Sequence, residues 1–356
     1  MKRFLLIGLV LIMALAITSC GTDNANTGDE KAGGNGDAAK TEAVSLDTVE
    51  KISAEWLTAG HANVGEPLSY AGVRTTCGVC HSGNAMERYG TDNPYAAKGI
   101  ESHPDDRNKR IIDTHEAELP SPIGCATCHS GAGADILKSG VIPAELNAFG
   151  DTEWNVGNSN ALCFTCHNAR RDVDHMYKSW TTEGAERENE YPHHGWGALV
   201  TGQGGMEYPD VEYAQSEQHL TLGCTGCHMP EKDGYVSHDF KPDLATCKGC
   251  HSDATEFSLG GGLEKELTDK LAKLEELVLA KIPGAVEIGA SHGTTPAVDA
   301  DGEAISNADL PVEALVGAYN YAIIKQELEH GGKGIHNPKY AKALLDESIK
   351  KLEALK

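Results

Sequence analysis

The sequence predicts a mainly α-helical fold with much irregular loop, and three observations support this prediction. Alternation of apolar and polar residues, which would indicate strands, is almost missing, whereas an amphipathic leucine pattern appears in the last hundred residues. The chain contains 40 glycines and 14 prolines, which favour loops between short helices. Aromatic residues make up only 6% of the chain, so we expect something other than aromatic side chains to fill part of the interior.

The N-terminus has the features of an export signal. Lys2 and Arg3 precede an apolar run over residues 4–17, which is shorter than a membrane span. The run leads to Cys20 in a pattern that resembles the lipobox of bacterial lipoproteins, and an ordinary secretory signal with a stray cysteine is the alternative. We predict a signal peptide over residues 1–19 and lipidation of Cys20, which would attach the exported protein to a lipid bilayer facing the periplasm or the cell surface.

The segment that follows offers little to bury. Residues 20–50 are rich in Gly, Asn, Asp, Ala and Thr, and we predict that they form a flexible acidic tether. The formal net charge of the whole chain is −23. This charge argues against a nucleic-acid partner, because nucleic acids are bound by clusters of Lys and Arg.

Ten of the eleven cysteines fall into five C-x-x-C-H motifs, which leaves Cys20 alone. The motifs are Cys77-Gly-Val-Cys80-His81, Cys125-Ala-Thr-Cys128-His129, Cys163-Phe-Thr-Cys166-His167, Cys224-Thr-Gly-Cys227-His228 and Cys247-Lys-Gly-Cys250-His251. In such a motif the two thiols bond to the vinyl groups of haem, and the histidine is the proximal ligand of the iron. Disulfides and zinc sites are the alternatives, but neither explains why histidine follows every pair. The sequence therefore predicts five covalently bound haem c groups.

Each iron needs a second axial ligand if it is to be six-coordinate. Eleven histidines remain after the proximal five, whereas methionine, the other option, is scarce beyond the signal peptide. Those methionines are Met86, Met176, Met206 and Met229. The surplus of histidine favours bis-histidine ligation and low reduction potentials, which suit anaerobic respiration.

The C-terminal hundred residues predict long helices. Apolar residues repeat at intervals of 4, 4, 3 and 4 at Leu263, Leu267, Leu271, Leu274 and Val278. Pro283 should end this first helix, a second should cover Pro311 to His330, and a third should cover Tyr340 to Leu355. The leucine stripe is typical of a seam between helices.

Several stretches resemble the ammonia-forming cytochrome c nitrite reductases and their pentahaem relatives. The resemblance begins near His61 and is most specific in Cys224–Pro230 and in Gly334-Ile335-His336-Asn337-Pro338. It implies a multihaem cytochrome c fold with a haem-packed core, in which the C-terminal helices form a homo-oligomer interface. We accordingly divide the folded part into a pentahaem domain over residues 51–258 and a C-terminal helical region over residues 259–356.

The resemblance also implies distal ligands, residue by residue. It assigns His219 to the fifth haem, His238 to the second, His336 to the fourth and, at a spacing unlike that of the family, His61 to the third. For the first haem we favour His194 or its neighbour His193. The rivals for that haem are His103, His115 and His175, whereas His292 and His330 are expected to ligate no iron.

Three departures from the family argue against catalysis. His81 stands where the reductases usually have lysine, and Tyr208 stands where they have a substrate-contacting histidine. Ala169 and Arg170 stand where they have a calcium-binding Glu and Tyr. A reductase needs an open iron with a proton donor beside it, so we expect no catalytic residues and an electron-transfer protein rather than an enzyme.

These observations favour a membrane-anchored cytochrome that moves electrons through five stacked haems in anaerobic or extracellular respiration. Its expected partners are other redox proteins, such as cytochromes or a quinol-oxidising membrane complex, and an extracellular acceptor such as a metal oxide. Two alternatives stay open. One is a reductase of nitrite, hydroxylamine or a sulfur oxyanion, and the other is a subunit of an extracellular cytochrome filament.

Overall fold

Helices joined by irregular loops dominate the part of the chain that the computed structural model describes. That part comprises residues 44–62, 71–72, 75–89, 100–103, 106–112, 120–146, 153–157, 159–187, 191–193, 195–259, 262–289 and 296–355. Its α-helices are α1 (Leu46–Trp56), α2 (Thr75–His81), α3 (Gly83–Glu87), α4 (Cys125–His129), α5 (Gly131–Ser139), α6 (Asn160–Cys166), α7 (Val173–Thr181), α8 (Trp196–Thr201), α9 (Glu217–His228), α10 (Leu244–Cys247), α11 (Gly262–Lys281), α12 (Val312–Glu329) and α13 (Pro338–Ala354). The predicted fold class, mainly α with much loop, is confirmed.

The strands of the described residues form four antiparallel two-stranded ladders. They are β1 (Ile100–His103) with β2 (Asp106–Ile112), β3 (Val141–Ile142) with β4 (Trp154–Asn155), β5 (Glu231–Lys232) with β6 (Tyr235–Val236), and β7 (Glu287–Ile288) with β8 (Ala297–Val298). The β1–β2 hairpin was not predicted, because the strand Asp106–Ile112 is mostly charged and shows no alternation. None of the described helices combines the length and the apolar character of a membrane span.

The three C-terminal helices pack on one another and form the larger hydrophobic core. The predicted stripe of α11 is buried at Leu267, Leu271, Leu274 and Val278. Helix α12 is buried on nearly all sides, so it is the central element of this bundle. The helices begin and end within three residues of the predicted bounds, and α13 starts two residues early because Asn337 caps it, with Pro338 at its first turn.

A buried asparagine ties the bundle to the loop before α9. The Asn320 side chain accepts a hydrogen bond from the Met206 amide (2.8 Å) and donates to the Met206 carbonyl (2.9 Å) and to Ser348 Oγ (3.0 Å). The Tyr340 hydroxyl donates to Glu207 in the same loop at 2.8 Å. Because a buried amide is stable only when its hydrogen bonds are made, these contacts fix the loop that leads to the fourth motif.

The N-terminal helix positions the first of the predicted distal ligands. Ser45 caps α1, and Trp56 at its end donates to the Ile123 carbonyl at 2.9 Å. The Ile123 amide donates to the His61 carbonyl at 3.2 Å, so the segment after α1 is bound to the loop before the second motif. Helix α1 begins inside the predicted tether, and the chain from Ser45 to Lys356 forms one compact unit.

Several predictions lie wholly or largely outside the described residues. These are the signal peptide over residues 1–19, the lipidation of Cys20 and the tether up to residue 43. The boundary between residues 258 and 259 stays a prediction.

Candidate haem-binding site

Each C-x-x-C-H motif lies in a short helix or continues one. The motifs occupy α2, α4, α6, α9 and α10, respectively, together with the residues that directly follow α6 and α10. In the third motif the His167 amide donates to the Cys163 carbonyl at 3.0 Å, and in the fifth the His251 amide donates to the Cys247 carbonyl at 2.7 Å. Residues four apart lie on the same face of a helical turn, so the first cysteine and the histidine share a face.

The third and fourth motifs meet at a glycine. Gly223 interrupts α9 with φ 76° and ψ 174°, a backbone conformation that is essentially restricted to glycine. The turn lets the Cys224 amide donate to Asn160 Oδ1 of α6 at 2.8 Å. A β-carbon at position 223 would overlap the Asn160 side chain. The Asn160 side chain of α6 thus caps the helical segment of α9 that begins at Cys224.

Cysteines of different motifs also adjoin one another. The Cys80 thiol lies beside that of Cys166, and the Cys163 thiol lies beside that of Cys224. Hydrogen bonding with Cys80, together with burial, raises the pKa of Cys166 well above its usual value, whereas the same contact lowers the pKa of Cys80. The first, third and fourth motifs therefore form one contiguous cluster.

Four motif histidines each face a second histidine from a distant part of the chain. The pairs and their ring-centroid distances are His81–His193 at 5.9 Å, His129–His238 at 6.2 Å, His167–His61 at 6.2 Å and His228–His336 at 6.3 Å. Three of the facing residues, His61, His238 and His336, are the ones that the resemblance implies for these motifs.

The four distances agree with those of two imidazoles that bind one metal ion from opposite sides. A bond between a transition metal and an imidazole nitrogen is about 2.0 Å long, and that nitrogen lies about 1.1 Å from the ring centroid, so the two centroids lie about 6.2 Å apart. The observed 5.9–6.3 Å matches this requirement. With a cysteine pair beside each motif histidine, the described residues fit a bis-histidine haem c.

In the pair of the first motif, the ring that faces His81 is that of His193, and the alternative, His194, lies outside the described residues. The His193 amide donates to the Ala169 carbonyl at 3.1 Å, an isolated bridge that holds this segment against the residues after the third motif. Ala169 has a positive φ of 64°, and Gly195 leaves no room for a β-carbon against the Ala169 side chain. Tight backbone packing therefore fixes the position of His193.

Hydrogen bonds at Nδ1 orient several of the predicted ligand imidazoles. His228 donates to the Phe240 carbonyl at 3.0 Å, His238 to the Val236 carbonyl at 2.8 Å and His219 to the His336 carbonyl at 3.3 Å. A carbonyl only accepts, so the proton lies on Nδ1 and leaves Nε2 free to bind a metal. Burial lowers the pKa of His228 and of His61, which favours the neutral imidazole that a metal requires.

Phe240 contacts residues of three histidine pairs. Its ring meets the His61 ring edge-on at 4.5 Å and the His238 ring at 6.2 Å, while its carbonyl accepts the bond from His228. Its φ is +56°, in the left-handed region that costs a non-glycine residue roughly 1–2 kcal/mol. Strain of this kind persists where the surroundings fix the conformation, which is typical of functional sites.

Replacing Phe240 by alanine should change the environment of two low-spin haems without removing either. The His61 and His238 rings lose an edge-to-face neighbour and can rotate, whereas the backbone bond to His228 remains. We expect altered g-values for two components of the electron paramagnetic resonance spectrum. Phe257→Ala, at a half-buried position in ring contact with none of the described histidines, should leave the spectrum unchanged. An unaltered spectrum in Phe240→Ala would contradict the positioning role.

The fifth motif differs from the other four. Among the described residues, His251 makes no ring contact with another histidine. Cys250 and His251 are exposed, but so are Cys125 and His129 of the second motif, so the missing ring contact is what distinguishes the fifth. His219, the predicted partner, is half-buried, and its bond to the His336 carbonyl leaves its Nε2 free. The pairing of His219 with His251 stays a prediction.

Relatives of this chain carry cytochrome names. Cytochrome c-552 of Parabacteroides distasonis is 26% identical over 213 residues, which cover 51% of this chain and 40% of that protein. Cytochrome c-552 of Porphyromonas gingivalis is 26% identical over 236 residues, which cover 57% of this chain and 42% of that protein. The chain thus matches less than half the length of these relatives.

Among solved structures, the outer cell wall cytochrome OcwA matches 84% of this chain and 49% of its own, with 21% identity and a TM-score of 0.46. No family model matches the chain. The five motifs and the two relatives support a multihaem c-type cytochrome.

The three rival ligands of the first haem and the two histidines expected to ligate no iron divide into two groups. His175 is exposed near the start of α7, and His330 is exposed and meets the Trp196 ring edge-on at 5.3 Å. His115 and His292, and the side chain of His103, lie outside the described residues. Trp196 in turn lies 5.2 Å from the His167 ring. Sequence reasoning missed this aromatic contact, as it missed Phe240, because neither residue belongs to a spaced motif.

Proposed function

We propose that this protein is a multihaem c-type cytochrome that carries electrons through five covalently bound haem groups and is not an enzyme. The observation that carries this proposal is the spacing of the four histidine pairs, each of which contains the histidine of a C-x-x-C-H motif. The names of the relatives agree with electron transfer as the role.

Particular side chains would hold the cofactors. The thiols that would bond to haem are Cys77, Cys80, Cys125, Cys128, Cys163, Cys166, Cys224, Cys227, Cys247 and Cys250. The proximal ligands would be His81, His129, His167, His228 and His251, and the distal ligands His193, His238, His61, His336 and His219, in the order of the motifs. When bound, each haem supplies an iron that gains and loses one electron. Histidines on both sides would exclude substrate from the iron, which would leave outer-sphere electron transfer.

The contiguity of the motifs supports a stacked arrangement. The adjoining thiols link the first motif to the third and the third to the fourth, and Asn160 joins the third and fourth helices. Phe240 brings ligand residues of the second, third and fourth motifs together. A carrier needs such closely packed redox sites, because electrons must pass from one haem to the next.

The described residues argue against the reductase alternative, which requires an open iron and a proton donor beside it. Tyr208, which replaces the substrate-contacting histidine of the reductases, is buried in the core of the C-terminal bundle, where Lys351 lies 5.2 Å from the centre of its ring. Burial raises the pKa of Tyr208 far above that of a free tyrosine. Such a phenol is a poor acid, and His193 occupies the position opposite His81.

The cellular setting follows from the same proposal. We place the protein outside the cytoplasm, where c-type haem is attached, with Cys20 as its lipid anchor facing the periplasm or the cell surface. Its partners would be other cytochromes or a quinol-oxidising membrane complex, with an extracellular acceptor such as a metal oxide. The C-terminal helices would serve as the surface for self-association.

The proposal is tested by haem content and by reactivity. The denatured mature protein should exceed the polypeptide mass by five haem groups. The folded, reduced protein should bind carbon monoxide slowly or not at all and still reduce small soluble oxidants. Four or fewer haems from a host with full maturation machinery would overturn the count. Nitrite turnover at about ten per second or more would overturn the carrier role.

A further inference from the structure

A buried carboxylate lies directly behind the predicted distal ligand of the fourth haem. Glu327, near the end of α12, is fully buried and is the one charged side chain among the buried residues that the structure describes. Its two carboxylate oxygens lie 2.8 and 2.9 Å from His336 Nδ1. Gly332 packs against this carboxylate so closely that a β-carbon there would overlap it. The site is thus shaped to fit the carboxylate.

The environment of His336 differs from that of the other oriented histidines. His219, His228 and His238 donate from Nδ1 to neutral backbone carbonyls, whereas His336 donates to a carboxylate. Hydrogen bonds to ionised acceptors are roughly twice as strong as those between neutral groups. A carboxylate behind a ligating imidazole fixes its tautomer and raises its basicity toward the metal.

The burial of Glu327 needs an explanation beyond packing. A buried carboxyl group costs several kcal/mol unless it is paired. Within the described part of the chain its ion-pair partner is His336, and no Lys or Arg side chain reaches it.

We propose that Glu327 is a positioning residue that directs Nε2 of His336 toward His228 and lowers the reduction potential of the fourth haem. The inference rests on the proposed function, because it requires His336 to ligate iron. The carboxylate makes the imidazole a stronger donor, and a stronger donor stabilises the ferric state more than the ferrous state. The four distances near 6 Å show only that the pairs fit a metal, whereas Glu327 distinguishes one pair from the others.

The test uses the full-length holoprotein and optical redox titration. Glu327→Gln keeps the shape and one acceptor but removes the charge. In Glu327→Gln we expect the reduction potential of the fourth haem to rise. At the potential where this haem is half reduced in the wild type, its reduced-to-oxidised ratio in the variant should be about tenfold higher, which corresponds to about 59 mV for one electron. Glu327→Asp, which keeps the charge, should shift the ratio less than threefold. Glu329→Gln, at an exposed position two residues away, should leave every potential unchanged.

Each result of these titrations either supports or contradicts the positioning role of Glu327. A single potential that Glu327→Gln raises in the wild type, but does not change in the His336→Ala background, supports the proposal. A high-spin haem in Glu327→Gln that returns to low spin in Glu327→Asp also supports it. Five low-spin haems with unchanged potentials in Glu327→Gln would overturn it, as would equal shifts in Glu329→Gln. A wild-type protein without five haems would instead refute the proposed function.

Discussion

Replacing His193 by alanine should turn one low-spin haem into a high-spin haem that binds carbon monoxide as soon as the protein is reduced. The expectation follows from the 5.9 Å distance between the His193 and His81 rings. Alanine has no atom that can ligate iron, so one axial position becomes open to small molecules. Optical spectra of the reduced protein before and after addition of carbon monoxide measure the effect, with about one haem in five responding.

A matched histidine variant distinguishes ligation from general damage. His175→Ala changes an exposed histidine that the sequence also offers for the first haem, and we expect five low-spin haems in that variant. His194→Ala addresses the neighbour that the sequence equally allowed. Should His194→Ala rather than His193→Ala create the carbon monoxide site, the assignment of the first distal ligand would be wrong. Nitrite turnover in His193→Ala would show that ligation alone separates this carrier from an enzyme.

Replacing Gly223 by alanine should lower the free energy of unfolding by about 2–4 kcal/mol. The residue has φ 76° and ψ 174°, which a side chain disfavours, and the new β-carbon would overlap Asn160. Relief of the overlap requires Asn160 to move, which breaks its bond to the Cys224 amide. Chemical denaturation of the mature holoprotein, followed by helix circular dichroism, measures the change.

Gly249→Ala is the matched control, because Gly249 lies within the fifth C-x-x-C-H motif and Gly223 directly precedes the fourth. Its φ is not positive, and a β-carbon there would lie 3.4 Å from its nearest neighbour, the Thr246 carbonyl oxygen. We expect a change of less than about 0.5 kcal/mol. Equal losses in the two variants would mean that the Gly223 turn has no special role and that any side chain beside a motif destabilises the fold.

Local patterns made much of the fold predictable. The buried stripe of α11 follows from the leucine spacing alone, and Asn337-Pro338 marks the start of α13 because this pair caps a helix. The short helices at the C-x-x-C-H motifs agree with the glycine and proline content of the chain, which favours loops between short helices. The β1–β2 hairpin escaped prediction because hydrogen bonds between backbones, rather than a pattern of side chains, define it.

The remaining parts of the candidate site depend on contacts between distant residues. Phe240 is an ordinary loop residue in the sequence, and its importance comes from a left-handed φ and from contacts with His61. Glu327 is typical of the last turn of an exposed helix, yet it is buried because α12 is central. The position of His193 depends on the backbone bridge to Ala169, which no local pattern reveals.

The four histidine pairs also bear on how the chain folds. In every pair the two residues are about 110 residues apart in the sequence, so ligation of one metal ion by both would close a loop of more than a hundred residues. In the chain-entropy model, a covalent cross-link over a loop of about 100 residues stabilises a protein by roughly 4.7 kcal/mol, because it restricts the unfolded chain. Attachment of haem to the two cysteines of one motif closes no long loop of the chain. With haem bound as proposed, the proximal bonds would be local and could form early, whereas the distal bonds would be non-local, would form late and would act as four cross-links of the native state.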